Sequence, residues 1–327
     1  MKSKKTLLLK IIVSLILLAL VLYRVNFEKI WHQINRVSLP FVIFALVYYT
    51  GCQWLSCMRW QIILKATNQV IPMSMLLKSY FAGMFLNTFL PSSIGGDVYR
   101  VYCVAKMTQN TEIAFVSVFL ERITGVFALL AIAIISIPPA FRLVENWEII
   151  SLVLTCTMLL LGAVLLMLNQ TLLKLIEPLL IKFHLDGLAR QFAKIQILLR
   201  SFPRQALAKS MGLSIILQLV IIYYYYLIAQ QLNIPISYLQ LLVFIPIIVV
   251  ATLLPISLGG LGLKEGLLAY LFSRVHLSLE HAVLLSLTVT VLGWILSLPG
   301  GLILLLDTEY QAAKNTKTLK ENYSDKD

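Results

Sequence analysis

Leu90-Pro91-Ser92-Ser93-Ile94-Gly95-Gly96-Asp97 interrupts a long apolar run, and Leu254-Pro255-Ile256-Ser257-Leu258-Gly259-Gly260 does so again half a chain later. Proline and paired glycine do not continue a helix, so each stretch breaks the apolar segment before it, Met73–Leu90 and Tyr238–Leu254. Pro, Ser and both Gly recur at matching places in the two copies. Two readings are open. The copies are kinks in ordinary spans, with glycine for close helix packing, or they are the tips of hairpins that enter the membrane and fold back. Broken backbone at membrane depth is tolerated only where protein buries it or it lines a cavity.

The chain around these breaks has 327 residues, 59% apolar and 13% charged. Soluble domains run about half apolar and a quarter charged. Uncharged runs such as Ile11–Leu22 and Leu152–Leu168 exclude a soluble enzyme and a disordered protein. Thr6–Tyr23, Phe41–Leu64, Ile113–Ile137, Ile149–Leu168, Ala206–Leu232 and Ala282–Leu306 are each about long enough to cross a ~30 Å hydrocarbon layer. Gly262–Phe272 is too short. Thr6–Tyr23 reads as an uncleaved first span, and Phe27, Ile30, Trp31, Ile34 and Val37 as one face of an interfacial helix. The expected fold is an all-α polytopic membrane protein with about six spanning helices plus two broken or re-entrant helical hairpins.

Charge sets the expected topology. Lys174, Lys182, Arg190, Lys194, Arg200, Arg204 and Lys209 crowd the connection 169–209, and Lys2, Lys4, Lys5 and Lys10 the N-terminus. The positive-inside rule places both in the cytoplasm of a cell that carries the chain in its plasma or inner membrane. An even number of crossings must separate them, which holds if Met73–Leu90 enters from the cytoplasm and returns. Tyr238–Phe272 then enters from outside, and Ala282–Leu306 brings a polar, frayed tail, 307–327, back inside. Two broken elements of opposite orientation make residues 1–306 an inverted repeat of the kind transporters use, with its motifs at 90–100 and 254–265. One feature weighs against this topology: the loop 24–40, placed outside, carries Arg24, Lys29 and Arg36 against Glu28 alone.

Few residues carry chemistry. Glu121 and Arg122 lie roughly 12 Å into the span that starts near Ile113, and ionisable groups at that depth face a cavity or a partner. They contact a headgroup, or they make a structural bond to the hairpin, for instance Glu121 to Arg100. Arg100 and Lys264 each follow a Gly-Gly pair at the start of a short helix, where free N–H groups and the dipole attract anions. Ser93, Gly95, Gly96 and Asp97 join the first site, and Ser257, Gly259, Gly260 and Glu265 the second. Against a phosphate role stand snorkelling of both cations and a local Lys264–Glu265 ion pair. Arg59, beside Trp60, joins the headgroup candidates, with interface anchoring as the leading account, and Tyr223–Tyr226 reads as an aromatic belt that fits poorly at mid-span.

Cys52, Cys57, Cys103 and Cys156 show no CxxC or His-ligand spacing, and His32, His184, His276 and His281 are scattered, so neither metal nor cofactor is expected. The chain has no GxxxxGK[ST], HExxH or GxSxG stretch, which excludes an ATP site on this chain. The net charge of +12 belongs to membrane-flanking loops rather than to nucleic-acid binding.

Taken in order, Arg59-Trp60, Leu90–Asp97 with Arg100, Glu121-Arg122 with Gly125, and Leu254–Gly262 with Lys264-Glu265 resemble the lysylphosphatidylglycerol synthase transmembrane-region family, also called the flippase-like domain family. The resemblance covers about residues 7–306, and Lys264 stands where members often carry Arg. It implies a domain that moves lipids between leaflets. In the bifunctional synthases this domain precedes a soluble domain that lysylates phosphatidylglycerol, and exposing the product outside resists cationic peptides. That soluble domain is not found here, so the chain is not expected to be a lysyltransferase itself. The leading expectation is a translocator of an anionic or aminoacylated phospholipid or another lipid-linked headgroup. The alternative is the membrane subunit of a lipid-modifying enzyme whose catalysis sits on a separate synthase chain. Membrane lipids are the expected partners, with a homo-oligomer also open.

Overall fold

Ser38 starts the first described helix by accepting the Phe41 amide on its hydroxyl, with Pro40 in the first turn, where no N–H is needed. This helix, α1 (Leu39–Lys65), is followed by α2 (Met73–Phe89), α3 (Gly95–Thr108), α4 (Thr111–Val144), α5 (Arg204–Gln231), α6 (Tyr238–Leu253), α7 (Leu263–Ser273) and α8 (Leu279–Ser324). The computed structural model describes residues 37–89, 95–144, 202–253, 260 and 262–324, plus positions 147, 151, 154, 155, 158 and 162. The spans read at 6–23 and 149–168, the interfacial helix, the 169–203 connection and Cys156 fall wholly or largely outside these residues, as do Ser93, Ser257 and Gly259.

The protein is an all-α membrane protein. Leu39–Lys65, Thr111–Pro139, Arg204–Gln231 and Leu279–Leu306 are long and apolar enough to cross, each within a few residues of the segment read from hydropathy. Of the most apolar stretch of α4, 61% is buried, against 28% in each of the others, so α4 is the central helix. The tail departs from expectation, because α8 runs unbroken to Ser324. Its polar end holds neither Pro nor Gly, and extending an existing helix needs no new nucleus.

Contacts give each helix its direction. Trp60 Nε1 donates to Ser117 Oγ (3.1 Å) and Arg59 pairs with Glu121, so α1 runs antiparallel to α4. Phe202 and Pro203 sit beside Ile113 and Val116, and Ser210 beside Thr124, so α5 runs parallel to α4. The ends of α1 and α3 and the starts of α2, α4 and α5 therefore share one end of the bundle. Arg100 lies over the Tyr80 ring (4.3 Å) and the Gly96 amide donates to Asn87 Oδ1 (2.7 Å), so α3 folds back along α2. The pair is a hairpin and not a kinked span. Helices α6 and α7 fold back likewise, Phe244 meeting Phe272 (6.5 Å between centroids) and Thr252 lying against Gly260. Helix α8 returns to the first end, where Ile303 and Leu306 line one pocket with Met75 and Lys78. The second hairpin thus begins and ends at the opposite end from the first.

The packing has a second regularity. Helix α1 packs on α5, α2 on α8, α4 on α6, α3 on α4 and α7 on α8. Exchanging α1–α4 for α5–α8 in order turns the α1–α5 pairing into itself and each other pairing into another of the set, and the same holds for every substantial pairing among the described helices. Side accessibility tests the arrangement. Gln109, in the turn between α3 and α4, and His276, between α7 and α8, both have positive φ (54° and 59°) in tight turns at opposite ends. In right-side-out membranes, an impermeant thiol reagent is expected to label His276→Cys and to spare Gln109→Cys. Labelling of both would overturn the placement of the two turns at opposite ends, and labelling of Gln109→Cys alone would overturn the cytoplasmic side expected from charge.

Candidate functional site

Helix α3 is about 21 Å long and α4 places Glu121 about 15 Å from its first residue, at 1.5 Å per residue. That is half the hydrocarbon layer. Polar groups from several helices converge at this depth on a cavity of about 290 Å³, bordered by α1 to α6. Its charged residues are Arg59, Asp97, Arg100, Glu121 and Arg122.

They form one alternating ladder. Glu121, 2% exposed, accepts from Arg59 on one oxygen and from Arg100 Nη2 on the other (3.0 Å). Asp97 accepts from Arg100 Nη1 (3.4 Å) on one oxygen and from Arg122 on the other. The 100° between adjacent helical residues lets Glu121 turn toward α1 while Arg122 reaches the start of α3. Arg100 is further sandwiched between Trp60 (4.2 Å) and Tyr80 (4.3 Å), a double cation–π contact. Arg59 also donates to Ser214 Oγ (3.1 Å), which ties in α5. A methyl group on Gly125 would stand 3.0 Å from Arg59, so glycine there makes room for the guanidinium.

Several readings of the sequence are resolved by this geometry. Arg59 is not an interface anchor: it is 4% exposed, because Glu121 on a helix far along the chain supplies its counter-charge. Arg100 does not snorkel, and the Glu121–Arg100 bond is present. The tyrosine run is not a belt. Tyr224 stacks on Tyr48 and Tyr49, while Tyr223 and Tyr226 meet Tyr238, so the rings join α1, α5 and α6.

Of the described second-half candidates, Gly260, Lys264 and Glu265 do not border the cavity. Lys264 Nζ donates to Thr290 Oγ1 (2.7 Å). Glu265 accepts from the Gly262 amide (2.7 Å) and from Ser286 Oγ (2.8 Å). Glu265 therefore caps α7 and ties it to α8, in place of a Lys264–Glu265 ion pair. Gly260 and Gly262 take positive φ (81° and 79°), which only glycine adopts easily. Gly95 and Gly96 open α3, and Gly96 touches the Gly83 backbone.

Sequence reasoning missed Asn87, Gln53 and Gln218, which border the cavity. Polar amides inside apolar segments were the available signal. Among the described residues no group of His, Cys, Asp and Glu is placed to hold a metal ion.

The model of the lysylphosphatidylglycerol synthase TM region family matches residues 7–301. The chain belongs to this family. It is 25% identical over 326 residues to the UPF0104 membrane protein PH1989 of Pyrococcus horikoshii, covering 91% of this chain and 96% of that protein. A UPF0104 membrane protein of Methanothermobacter thermautotrophicus is 26% identical over 149 residues, 45% of this chain and 41% of the relative. The family match takes in both hairpins and the whole charge ladder.

Proposed function

We propose that this family member is a lipid translocator, which shelters a headgroup in the cavity between α1 and α6 while the acyl chains stay in the bilayer. The observation that carries the reading is the ladder of three arginines and two carboxylates beside a folded-back hairpin at mid-membrane depth. Charges at that depth are costly unless paired, and they mark substrate pathways. A cavity of about 290 Å³ lies at the small end of small-molecule sites. It holds a headgroup and excludes two acyl chains.

Alternating access follows from an inverted repeat of α1–α4 and α5–α8. The exchange symmetry of the helix pairings and the entry of the hairpins from opposite ends support it. The cytoplasmic side is the end that holds Gln109 and the start of α5 with Arg204 and Lys209, in a plasma or inner membrane. Without a nucleotide motif, transport is downhill or coupled to an ion gradient.

The purified chain in liposomes is expected to move tail-labelled phospholipid between leaflets, read as the fraction bleached by an impermeant reductant. Arg122→Gln is expected to reduce that rate at least about tenfold, the equivalent of ~1.4 kcal/mol, with an unchanged melting temperature. Its side chain is 35% exposed, and Asp97 keeps Arg100 as partner when it is lost. No movement of any lipid under imposed pH or sodium gradients would overturn the reading. It would favour a membrane subunit that works with a separate synthase, as the family's description suggests.

A further inference from the structure

Helices α2 and α8 cross in backbone contact about 12 Å from the start of α2, at 1.5 Å per residue. A methyl group on Gly300 would overlap the Phe81 carbonyl, and one on Gly301 would press on the Phe85 ring. Between this crossing and the Gln109 end, the two helices leave a wedge of about 370 Å³. Met75 and Lys78 line it from α2, and Ile303 and Leu306 from α8. Its third wall is one face of α3, because Tyr99, Cys103 and Met107 recur at four-residue spacing. The wedge is larger than the cavity at the charge ladder and within the size range of small-molecule sites.

The wedge lies at leaflet depth. Leu306 ends the apolar part of α8, and Lys78 sits about 7.5 Å from the first residue of α2. Met75, Met107 and Leu306 are 50%, 40% and 66% exposed among the described residues, and the solvent at this depth is hydrocarbon. Methionine adapts its shape to an irregular apolar partner. Lys78 is the charged residue among those that line the wedge, and it is exposed. Its long stem lets the ammonium reach headgroup level while the methylenes stay in the apolar layer. Basic pockets between membrane helices on the cytoplasmic side take anionic lipid headgroups.

The sequence repeat supplies a second observation. Pro91 matches Pro255, an offset of 164 residues. At that offset Met75, Lys78, Tyr99, Cys103 and Met107 match Leu239, Leu242, Leu263, Leu267 and Leu271. Every one is leucine in the second copy. Leu271 is fully buried, and Leu239, Leu242 and Leu267 pack against the largest apolar cluster. Packing alone is met by leucine on this face of a hairpin. The first copy instead turns a lysine, a tyrosine, a cysteine and two methionines to a wedge, which suits a ligand with one charged end and one apolar end.

We propose that the wedge holds one phospholipid of the leaflet at the Gln109 end, with its phosphate on Lys78 and one acyl chain against Met75, Met107 and Ile303. This site is separate from the ladder: Tyr99 lines the wedge, while Arg100, one residue on, joins Glu121. It does not depend on movement of the lipid, and it gives the translocator reading a holding place beside the first hairpin.

The full-length chain in phosphatidylcholine nanodiscs tests it. A dilute phosphatidylglycerol probe with a diazirine midway along one acyl chain is cross-linked by light, and its adducts are mapped by peptide mass spectrometry. Adducts are expected to concentrate on the peptides that carry Met75, Met107 and Ile303. The comparison is with Val47 of α1, Ile135 of α4 and Leu298 of α8, which are 67%, 73% and 52% exposed. Lys78→Ala is expected to lower the wedge adducts about fivefold, the equivalent of ~1 kcal/mol for one basic residue at a lipid surface, and Lys78→Arg to keep them. Both substitutions fall on an exposed side chain, so the fold tolerates them. Adducts spread evenly over the exposed apolar residues would overturn the proposal, as would wedge adducts unchanged in Lys78→Ala. Absence of wedge adducts, as when a second copy or another stretch of the chain fills the space, would overturn it too. A lipid held in the wedge by a chain that moves none would sink the translocator reading and leave this site standing.

Discussion

Glu121→Gln is expected to destabilise the protein in detergent, beyond any effect on transport. Glu121 is the shared counter-ion of Arg59 and Arg100, two arginines on different helices that are 4% and 5% exposed. Removing one partner of a buried pair leaves an uncompensated charge and costs roughly 3–5 kcal/mol. Here a single change strands two guanidiniums. A drop of about 10 °C or more in melting midpoint follows at the usual conversion for a chain of this size. The drop is checked by the thermal loss of the monodisperse peak in size-exclusion chromatography. An unchanged midpoint with abolished transport would mean that Glu121 works on the substrate and that the ladder is not structural. Asp97→Asn is the contrast, because its carboxylate is 13% exposed and Arg100 retains Glu121 and two aromatic rings when it is lost.

Gly96→Ala has the second large expected effect. A methyl group at Gly96 would overlap the Gly83 carbonyl and crowd the Asn87 side chain, whose oxygen accepts the Gly96 amide. Backbone cannot rotate away as a side chain can, so α3 must separate from α2. Overpacking typically costs about 1–3 kcal/mol, and contact with backbone places this change at the upper end or beyond. The displacement also moves Asp97 and Arg100, so transport is expected to fall together with stability. Gly300→Ala should behave alike, because it would press α8 into the Phe81 carbonyl of α2. Gly51→Ala and Gly212→Ala, where nothing lies within 4 Å, are the controls and should be close to neutral. Equal midpoints for all four variants, measured in one detergent, would sink the close-packing account of both hairpin contacts.

The two predictions fall on opposite sides of what can be read from local sequence. Breaks at Pro91 and Pro255, and the four long apolar spans, are local properties: a run of apolar residues or a Pro-Gly interruption acts on its own few turns. Segment bounds were therefore legible to within a few residues. The depth of Glu121 and Arg122 was legible as well, since rise per residue is constant.

Partners were not legible. Arg59 lies beside Trp60 at the end of a span, where interface anchoring accounts for it fully, and only folding brings Glu121 to it across 62 residues. Lys264 and Arg100 follow equivalent Gly-Gly pairs in sequence. Arg100 meets two acids and two rings, while Lys264 meets a threonine, because α4 offers Glu121 and Arg122 where α8 offers Ser286 and Thr290. Apolar helices carry no polar stripe to mark their buried face, so composition left α4 and its neighbours equivalent.

By itself the sequence determined that this protein is a helical membrane protein with two broken segments and a few charges at depth. Hydropathy and helix-breaking residues act over single turns, and lipid tolerates little else. Only the tertiary structure decided that α3 folds back against the central helix and that five charges join in one ladder. Ion pairing depends on which atoms meet within a few ångströms, and that is settled by packing between distant segments.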